Sequence, residues 1–301
     1  MPKLPLVSFI TVCYNGYADT CDLIESIQKY ISSIAYEIIV IDNASKNDEA
    51  SLLKDRYPFI LAHRSPVNLG FAGGNNLGIE RASGKYLFFI NNDTYISDDG
   101  IMHLIKRLDK KETIGGVSPK IKFAVPPYDV QFAGFTRLSR ITLRNEIMGY
   151  GVPDSEAFNT PTQSPYLHGA AMLIKREVID KAGSMPEIYF LYYEELDWCT
   201  KIRNAGYELW YEPQWTIYHK ESKSTGYLTP LRIFYMTRNR LLYAWRNRKG
   251  LTRLGSIAYQ LLFVIPSKSI LFLLKGRTDL AHASMKAIWA FFKLPQKIDH
   301  N

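Results

Sequence analysis

Four short runs rich in β-branched and aromatic residues, at 7–13, 37–41, 59–63 and 86–90, alternate with amphipathic stretches at 22–31, 48–57 and 73–82. Strands that alternate with helical stretches of this length build βαβ units around a mostly parallel sheet. The fold class is therefore α/β. Ligands of such sheets gather beyond the carboxyl ends of the strands. Polar clusters stand at those ends: Tyr14-Asn15-Gly16 after the first run, Asp42-Asn43-Ala44-Ser45 after the second and Asn91-Asn92-Asp93 after the fourth. Asp19 or Thr20 is the expected N-cap of the first helix.

Beyond residue 125 the pattern weakens. Pro126-Pro127 and a polar stretch at 153–165 predict a loop-rich insertion with some strand, and loops of that length are often functional. Periodicity returns with a strand at 170–174, helices at 176–182 and 195–204, and a short strand at 207–211 that should end before Pro213. After His219 the chain reads as mostly helical, with no internal repeat. The expected organisation is one domain over 1–220, with a nucleotide-binding half at 1–125 and an acceptor and catalytic half at 126–220. A basic, mostly helical region at 221–301 follows.

The formal charge of +8 is a property of that last region: residues 220–301 hold 15 Lys or Arg against 3 acidic residues, and the rest holds 22 against 26. Within it the apolar stretch 257–274 is broken by Gln260, Pro266 and Lys268, which makes it a poor spanning helix. Two readings stand side by side: an interfacial segment that meets anionic lipid at the inner membrane face, or a helical cap packed on the main domain. No recognition motif for nucleic acid accompanies the charge, and none is expected as a partner. Lys3 before the apolar run superficially imitates a signal peptide, but the run is short and lacks a small-residue cleavage site, so it reads as the first buried strand. The three cysteines, Cys13, Cys21 and Cys199, form no CxxC pair. An odd count of this kind argues against a disulfide framework and a zinc site, and for a reducing, cytoplasmic setting.

Several clusters carry chemistry. A carboxylate such as Asp42, after a parallel strand, can accept the N3–H of a uracil or thymine ring, with Asn43 and Ser45 anchoring nearby base or ribose atoms; the plain alternative is a turn whose side chains bond their own backbone. In the run from Asn68 to Gly78, NLGFAGGNNLG, glycines permit close backbone approach and the following helix offers free N–H groups to an anion such as a diphosphate. The dinucleotide fingerprint GxGxxG is missing after the first strand, which disfavours nicotinamide and flavin enzymes. Asp93 places a carboxylate beside that phosphate site, and magnesium commonly combines few carboxylates with substrate phosphates. In Tyr192-Tyr193-Glu194-Glu195-Leu196-Asp197-Trp198, crowded acids beside aromatic rings raise a carboxylate's pKa, as a general base requires, although they equally favour a helix N-terminus. His219 either completes a metal shell or is an ordinary surface histidine. The 20 Tyr, 15 Phe and 5 Trp supply walls suited to a sugar.

Taken in order, these segments resemble the family 2 glycosyltransferases, inverting enzymes of the GT-A fold, and within them the rhamnosyltransferase-like branch. The resemblance spans about residues 7–219 and rests on Thr11-Val12-Cys13-Tyr14-Asn15, the segment 40–45, the run 68–76, the motif 91–93, Gly169-Ala170-Ala171-Met172-Leu173 and the acidic helix start through to His219. It implies Thr11, Tyr14, Asn15, Asp42, Asn43 and Ser45 around the nucleotide, and Asn68, Gly70, Phe71, Gly73, Asn76 and Asn92 around the sugar diphosphate. It further implies Asp93 and His219 on Mg2+ or Mn2+, and His168, Gly169, Glu194 and Trp198 on the acceptor side. Glu195 becomes the base, with Asp197 as the reserve.

Three departures accompany the resemblance. The acid pair is Glu194-Glu195 where relatives usually have Glu-Asp, the metal motif is Asn91-Asn92-Asp93 where they have Asp-x-Asp, and Gly183-Ser184-Met185-Pro186-Glu187 stands where they often have Gly-Gly-Phe-Asp-Glu. The implied partners are a nucleotide-diphosphate sugar, first of all dTDP-rhamnose and behind it UDP-linked hexose, N-acetylhexosamine or galactofuranose, and a glycan or lipid-linked acceptor in cell-surface polysaccharide synthesis. A homodimer is compatible with it. Two other classes stay open on the sequence: an inactive sugar-nucleotide-binding protein, and a nucleotidyltransferase, which would release pyrophosphate from a nucleoside triphosphate.

Overall fold

The computed structural model describes residues 5–221 and 228–294; Lys3 and the remaining parts of the two expected regions lie outside the described residues. The first half alternates as the sequence predicts: β1 (Val7–Cys13), α1 (Tyr17–Tyr30), β2 (Tyr36–Asp42), α2 (Glu49–Arg56), β3 (Leu61–Arg64), α3 (Gly70–Ile79) and β4 (Tyr86–Ile90). There follow β5 (Thr94–Ile96), α4 (Ile101–Asp109), β6 (Ile114–Phe123), β7 (Val130–Phe132), β8 (Thr162–Gln163), β9 (Ala171–Lys175), α5 (Arg176–Ala182), α6 (Glu194–Asn204) and β10 (Glu208–His219). The chain then continues through α7 (Pro230–Asn247), α8 (Gly250–Tyr259), α9 (Ile265–Leu274) and α10 (Thr278–Lys293). The loop-rich stretch after residue 125 holds only β7, β8 and a single 3-10 turn.

The sheet runs β3-β2-β1-β4-β9-β6-β10-β5. β1 pairs in parallel with both β2 and β4, β3 extends the parallel set, and β10 lies parallel to β6; β9 and β5 run the other way. The sheet is thus mixed but mostly parallel. Chain order reverses between β1 and β4, and the crevice at such a reversal is where open α/β sheets take their ligands. Alternation along each strand sends side chains to two cores. Phe9 faces the layer of α1, α2 and α4, with Leu23, Leu53 and Leu104, whereas Ile10 faces the layer of α3, α5, α6 and α7, with Ala72, Val178, Trp198 and Leu241. All three cysteines are buried free thiols.

Three boundaries differ from expectation for physical reasons. α1 begins at Tyr17 behind Gly16, so Asp19 and Thr20 lie inside the first turn rather than capping it; the Thr20 hydroxyl donates back to the Gly16 carbonyl instead. α3 begins at Gly70, three residues ahead of the predicted start. β10 does not stop at Pro213: the strand absorbs it in an irregularity between Glu212 and Thr216, where the register against β6 shifts, and then runs on to His219. That extension carries His219 to the ligand end of the sheet.

α3 lies unusually close to β1. A β-carbon on Gly74 would stand 2.8 Å from a methyl of Val12, and one on Gly78 only 2.4 Å from a methyl of Ile10. Gly78→Ala is therefore expected to destabilise the fold by roughly 1–3 kcal/mol through overpacking. A denaturation midpoint unchanged from the parent protein would show that α3 can retreat freely.

Candidate functional site

The loops after β1 and β2 are knit together by two buried carboxylates. Asp42, with no exposed surface, accepts the backbone N–H groups of Ser45 at 2.8 Å, Glu49 at 3.1 Å and Ala50 at 3.4 Å. Arg64 approaches the same carboxylate to 3.8 Å. Glu49 accepts from the Cys13 thiol at 2.7 Å, the Gly16 N–H at 3.1 Å and the Ser45 hydroxyl at 3.2 Å. Burial and this carboxylate push the Cys13 thiol's pKa far up, so it stays a thiol. Ser45 in turn accepts the Asn15 N–H, and Asn15 accepts from the Lys46 N–H. The sequence reading expected Asp42 to meet a base ring. Its oxygens instead satisfy backbone donors at the start of α2 and hold the loop in shape. Tyr14, half exposed, and Asn15 are the groups this loop leaves open to a ligand.

Asn43 is also occupied. It donates to Asn68 Oδ1 and the Gly70 carbonyl and accepts from the Leu69 N–H, tying the tip of β2 to the glycine loop that opens α3. Asn68 itself remains exposed. Gly70 cannot be another residue: its φ is +72°, and a β-carbon there would lie 2.2 Å from the Phe190 carbonyl oxygen. A β-carbon on Gly73 would crowd Leu69 at 2.7 Å. Asn76, expected near the donor, turns the other way. It exchanges hydrogen bonds with the Met185 backbone and donates to Glu187, so it fastens the 183–187 segment to α3. Thr11 is buried in the sheet, its hydroxyl without a partner among the described residues.

At the tip of β4, Asn92 donates to the Thr20 hydroxyl at 3.1 Å and reaches the Gly16 carbonyl at 3.4 Å, joining this tip to that of β1. The neighbouring Asp93 sets its Oδ1 3.1 Å from Nε2 of His219, while Nδ1 of His219 faces the Gln131 side-chain oxygen at 2.8 Å. An acceptor on one ring nitrogen fixes a ligating imidazole's tautomer and leaves the opposite nitrogen for a cation. Among the described residues no group of three or more His, Cys, Asp or Glu side chains forms a complete metal site. One carboxylate oxygen and one imidazole nitrogen do suit Mn2+ or Mg2+ when phosphate oxygens and water supply the rest.

His168 meets His219 edge to face, with ring centroids 6.4 Å apart. Burial and the neighbouring imidazole push its pKa down to about 3, so the ring is neutral, and its Nδ1 accepts the Ala170 N–H. The next residue, Gly169, opens onto the acid helix: a β-carbon there would lie 3.9 Å from Cγ of Glu195 and 3.8 Å from the Phe71 ring. Glu195 is half-buried, and burial raises its pKa; Glu194 is buried, held well above the ordinary carboxylate range by burial and by repulsion from Glu195, and one of its oxygens has no partner among the described residues. Asp197 does not serve as a reserve base. It is 1% exposed and pairs with Arg246 at 2.8 Å and Asn247 at 2.5 Å, which anchors α7 to α6. Trp198 likewise leaves the acceptor side: it is buried against Phe89 and donates to the Gly183 carbonyl.

These contacts link one to the next at the ligand end of the sheet, from Asn15 through Asn92, Asp93, His219, His168 and Gly169 to Glu195, and back through the 188–193 loop, Gly70, Asn68 and Asn43. Sequence reasoning missed Glu49, Gln131, Arg238 and Asn239. Glu49 left a signal, standing four residues after Ser45 on a predicted helix start. The other three had none, because each meets its partner across tens of residues.

The sequence model described as glycosyl transferase family 2 matches residues 8–183. Among curated relatives, the chain is 26% identical over 240 residues to the uncharacterized protein y4gI of Sinorhizobium fredii, covering 75% of this chain but only 26% of that protein. It is 25% identical over 244 residues to the low-salt glycan biosynthesis hexosyltransferase Agl10 of Haloferax volcanii, covering 78% of this chain and 74% of the relative. Among solved structures, the mannosyltransferase PcManGT of Pyrobaculum calidifontis, in complex with GDP-Man and Mn2+, superposes with a TM-score of 0.57 over 98% of this chain and 77% of that one. At 16% identity the last is a likeness of fold alone.

Removing one member of a buried ion pair strands the other. Asp197→Ala should accordingly lower stability by about 3–5 kcal/mol in denaturant unfolding. A loss of turnover without a loss of stability would return Asp197 to the chemistry.

Proposed function

This chain belongs to glycosyl transferase family 2 and is a glycosyltransferase, and from that premise we propose that it transfers a sugar with inversion from a nucleotide-diphosphate donor bound at the ligand end of the sheet. The observation that carries this reading is the Asp93–His219 pair linked to Glu195 through His168 and Gly169 at the strand ends. The donor complexes of the solved neighbour and the hexosyltransferase name of the curated relative support a nucleotide-sugar substrate. The first donor to test is dTDP-rhamnose, supported by the sequence resemblance alone; the UDP-linked hexoses, N-acetylhexosamines and galactofuranose come next.

In this reading the nucleoside lies against Tyr14 and Asn15, with Asn68 and the glycine loop toward the diphosphate. Asp42, Asn43 and Asn76 act indirectly, by holding those loops. Asp93 and His219 would hold Mn2+ or Mg2+, which would supply positive charge to offset that of a nucleoside diphosphate leaving group. Glu195 accepts the proton of an acceptor hydroxyl as that oxygen attacks the anomeric carbon from the face opposite the leaving group. No enzyme nucleophile is required for a single displacement. Burial raises the base's pKa, and burial together with repulsion from Glu195 raises that of Glu194, which disfavours a second negative charge beside the base. Residues 1–220 form the transferase unit. The C-terminal region, whose described residues 228–294 are mostly helical, meets the inner face of the membrane, where a glycan or lipid-linked acceptor is presented.

Glu195→Gln should reduce transfer by roughly 10²–10⁴-fold, the usual contribution of a general base, with donor affinity within a few-fold of the parent. Because the base works deprotonated and its pKa is raised, kcat/KM should fall with decreasing pH at a point above the ordinary glutamate value of about 4.3. An acid limb at or below that value, or near-normal turnover of the glutamine variant, places the base elsewhere. Donor binding with neither transfer nor hydrolysis would favour the binding-protein reading.

Chelation by EDTA, and separately Asp93→Ala, should weaken binding of thymidine or uridine diphosphate, read by thermal shift with and without Mn2+. Nucleotide affinity indifferent to both treatments would remove the metal from the mechanism.

A further inference from the structure

The C-terminal helices enclose a second cavity, about 160 Å³, that the donor and the acid pair do not occupy. Its walls come from α7 (Arg232, Met236, Arg240), from Val264 and the α9 residues Lys268 and Phe272, and from α10 (Ser284). No carboxylate lines it. Lys268 makes no hydrogen bond or ion pair to another described residue, and burial together with Arg240 and Arg144 lowers its pKa, which marks a cluster of positive charge without a counter-charge. Arg240 gives its Nε–H to the Tyr193 hydroxyl at 2.7 Å, next in sequence to Glu194 and Glu195, and so connects the cavity to the loop that bears the candidate base.

The surroundings are apolar in a way a free anion does not need. Among the described residues one helical run, Gly250–Leu274, is long and apolar enough to cross a membrane, and only 22% of its most apolar window is buried. Leu262, Phe263, Ile270 and Leu274 on this run are 57–80% exposed. On α10, Trp289 and Phe292 are exposed as well. An exposed apolar surface of that extent beside basic side chains suits the chain and the headgroup of an anionic amphiphile together.

We propose that this cavity binds the phosphate of a lipid-borne acceptor, with Lys268 and Arg240 on the phosphate and the exposed faces of the 250–274 run and α10 along its hydrocarbon chain. The proposal rests on the transferase reading above, since it names the acceptor class of the same site. The bond from Arg240 to Tyr193 then places the acceptor's phosphate on the far side of the loop from its reacting hydroxyl. Charge complementarity favours this occupant over a neutral glycan, whose hydroxyls offer an ammonium acceptors but no counter-charge.

The test uses the full chain and titrates farnesyl phosphate, farnesol and inorganic phosphate, with thymidine and uridine diphosphate measured in parallel. Farnesyl phosphate should bind at least tenfold more tightly than either of the other two probes. Lys268→Gln should weaken it at least tenfold, while Lys268→Arg retains binding and shows that the loss is not misfolding. Nucleotide binding should be the same in all three proteins. Unchanged farnesyl phosphate affinity in Lys268→Gln overturns the proposal. So does inorganic phosphate binding as tightly as farnesyl phosphate, which makes the cavity a site for a free anion. Displacement of farnesyl phosphate by phosphatidylglycerol vesicles, but not by phosphatidylcholine vesicles, would assign it to bilayer headgroups and overturn the acceptor role. Loss of nucleotide binding with farnesyl phosphate binding intact would instead strike at the transferase reading.

Discussion

Most of the candidate site depends on one constraint: the backbone N–H groups at the strand ends and helix starts around the crevice must be satisfied without water. A parallel strand ends by releasing its ladder partners, and the helix that follows begins with N–H groups that have no intrahelical acceptor. Here Asp42 and Glu49, both buried, take up six donors, four backbone N–H groups, one hydroxyl and one thiol, between β1, β2 and α2. Asn43 does the same toward the glycine loop, and Asn92 toward Gly16. Bonds from charged groups are worth more than neutral ones, and a buried donor left alone costs about 1–3 kcal/mol. The loop shapes that bound the crevice therefore follow from polar satisfaction more than from apolar packing.

This constraint also explains which parts of the molecule were legible in the sequence. Strands β1 and β4 and helix α5 fell on their predicted residues, because apolar period and turn residues mark them locally. The residues of the polar clusters were likewise picked out correctly as lying at strand ends. What the pattern could not convey was the direction of each side chain. Asp42 could either meet a ligand or cap the backbone ahead of it, and the unsatisfied N–H groups of Ser45, Glu49 and Ala50 decided the matter. Asp197 shows the same ambiguity: three acids at the start of a helix look alike in sequence, yet Arg246 and Asn247, some fifty residues on, claim one of them. The extension of β10 past Pro213 was hidden because the partner that permits the irregularity, β6, lies about ninety residues away.

The substitution of amides for carboxylates around Asp93 has a compensating logic. With Asn91 and Asn92 in place of charged groups, the tip of β4 carries a single negative charge, and Asn92 is free to serve as a donor to Thr20 and Gly16. A second carboxylate at position 92 would face the Gly16 carbonyl oxygen at the same distance and repel it. His219 stands beside Asp93 without adding negative charge, which suits the diphosphate donor proposed above.

The acid pair poses the opposite problem, since it sits on backbone that resists its own conformation. Phe190, Tyr192 and Tyr193 all have φ between +65° and +76°, a region that non-glycine residues occupy at a penalty on the order of 1–3 kcal/mol each. Strain of that size persists only if the surroundings leave the loop no alternative. The restraint comes from α7: Asn239, fully buried, donates to the carbonyls of Tyr189, Leu191 and Tyr192, and Arg238 donates to those of Ile188 and Tyr189. Four backbone carbonyls of one short loop are thus held, through five hydrogen bonds, by two adjacent residues of a helix that the sequence assigned to a separate region. α7 is part of the crevice's frame. Whatever shifts α7, including a ligand between it and α9, bears directly on the loop that presents Glu194 and Glu195.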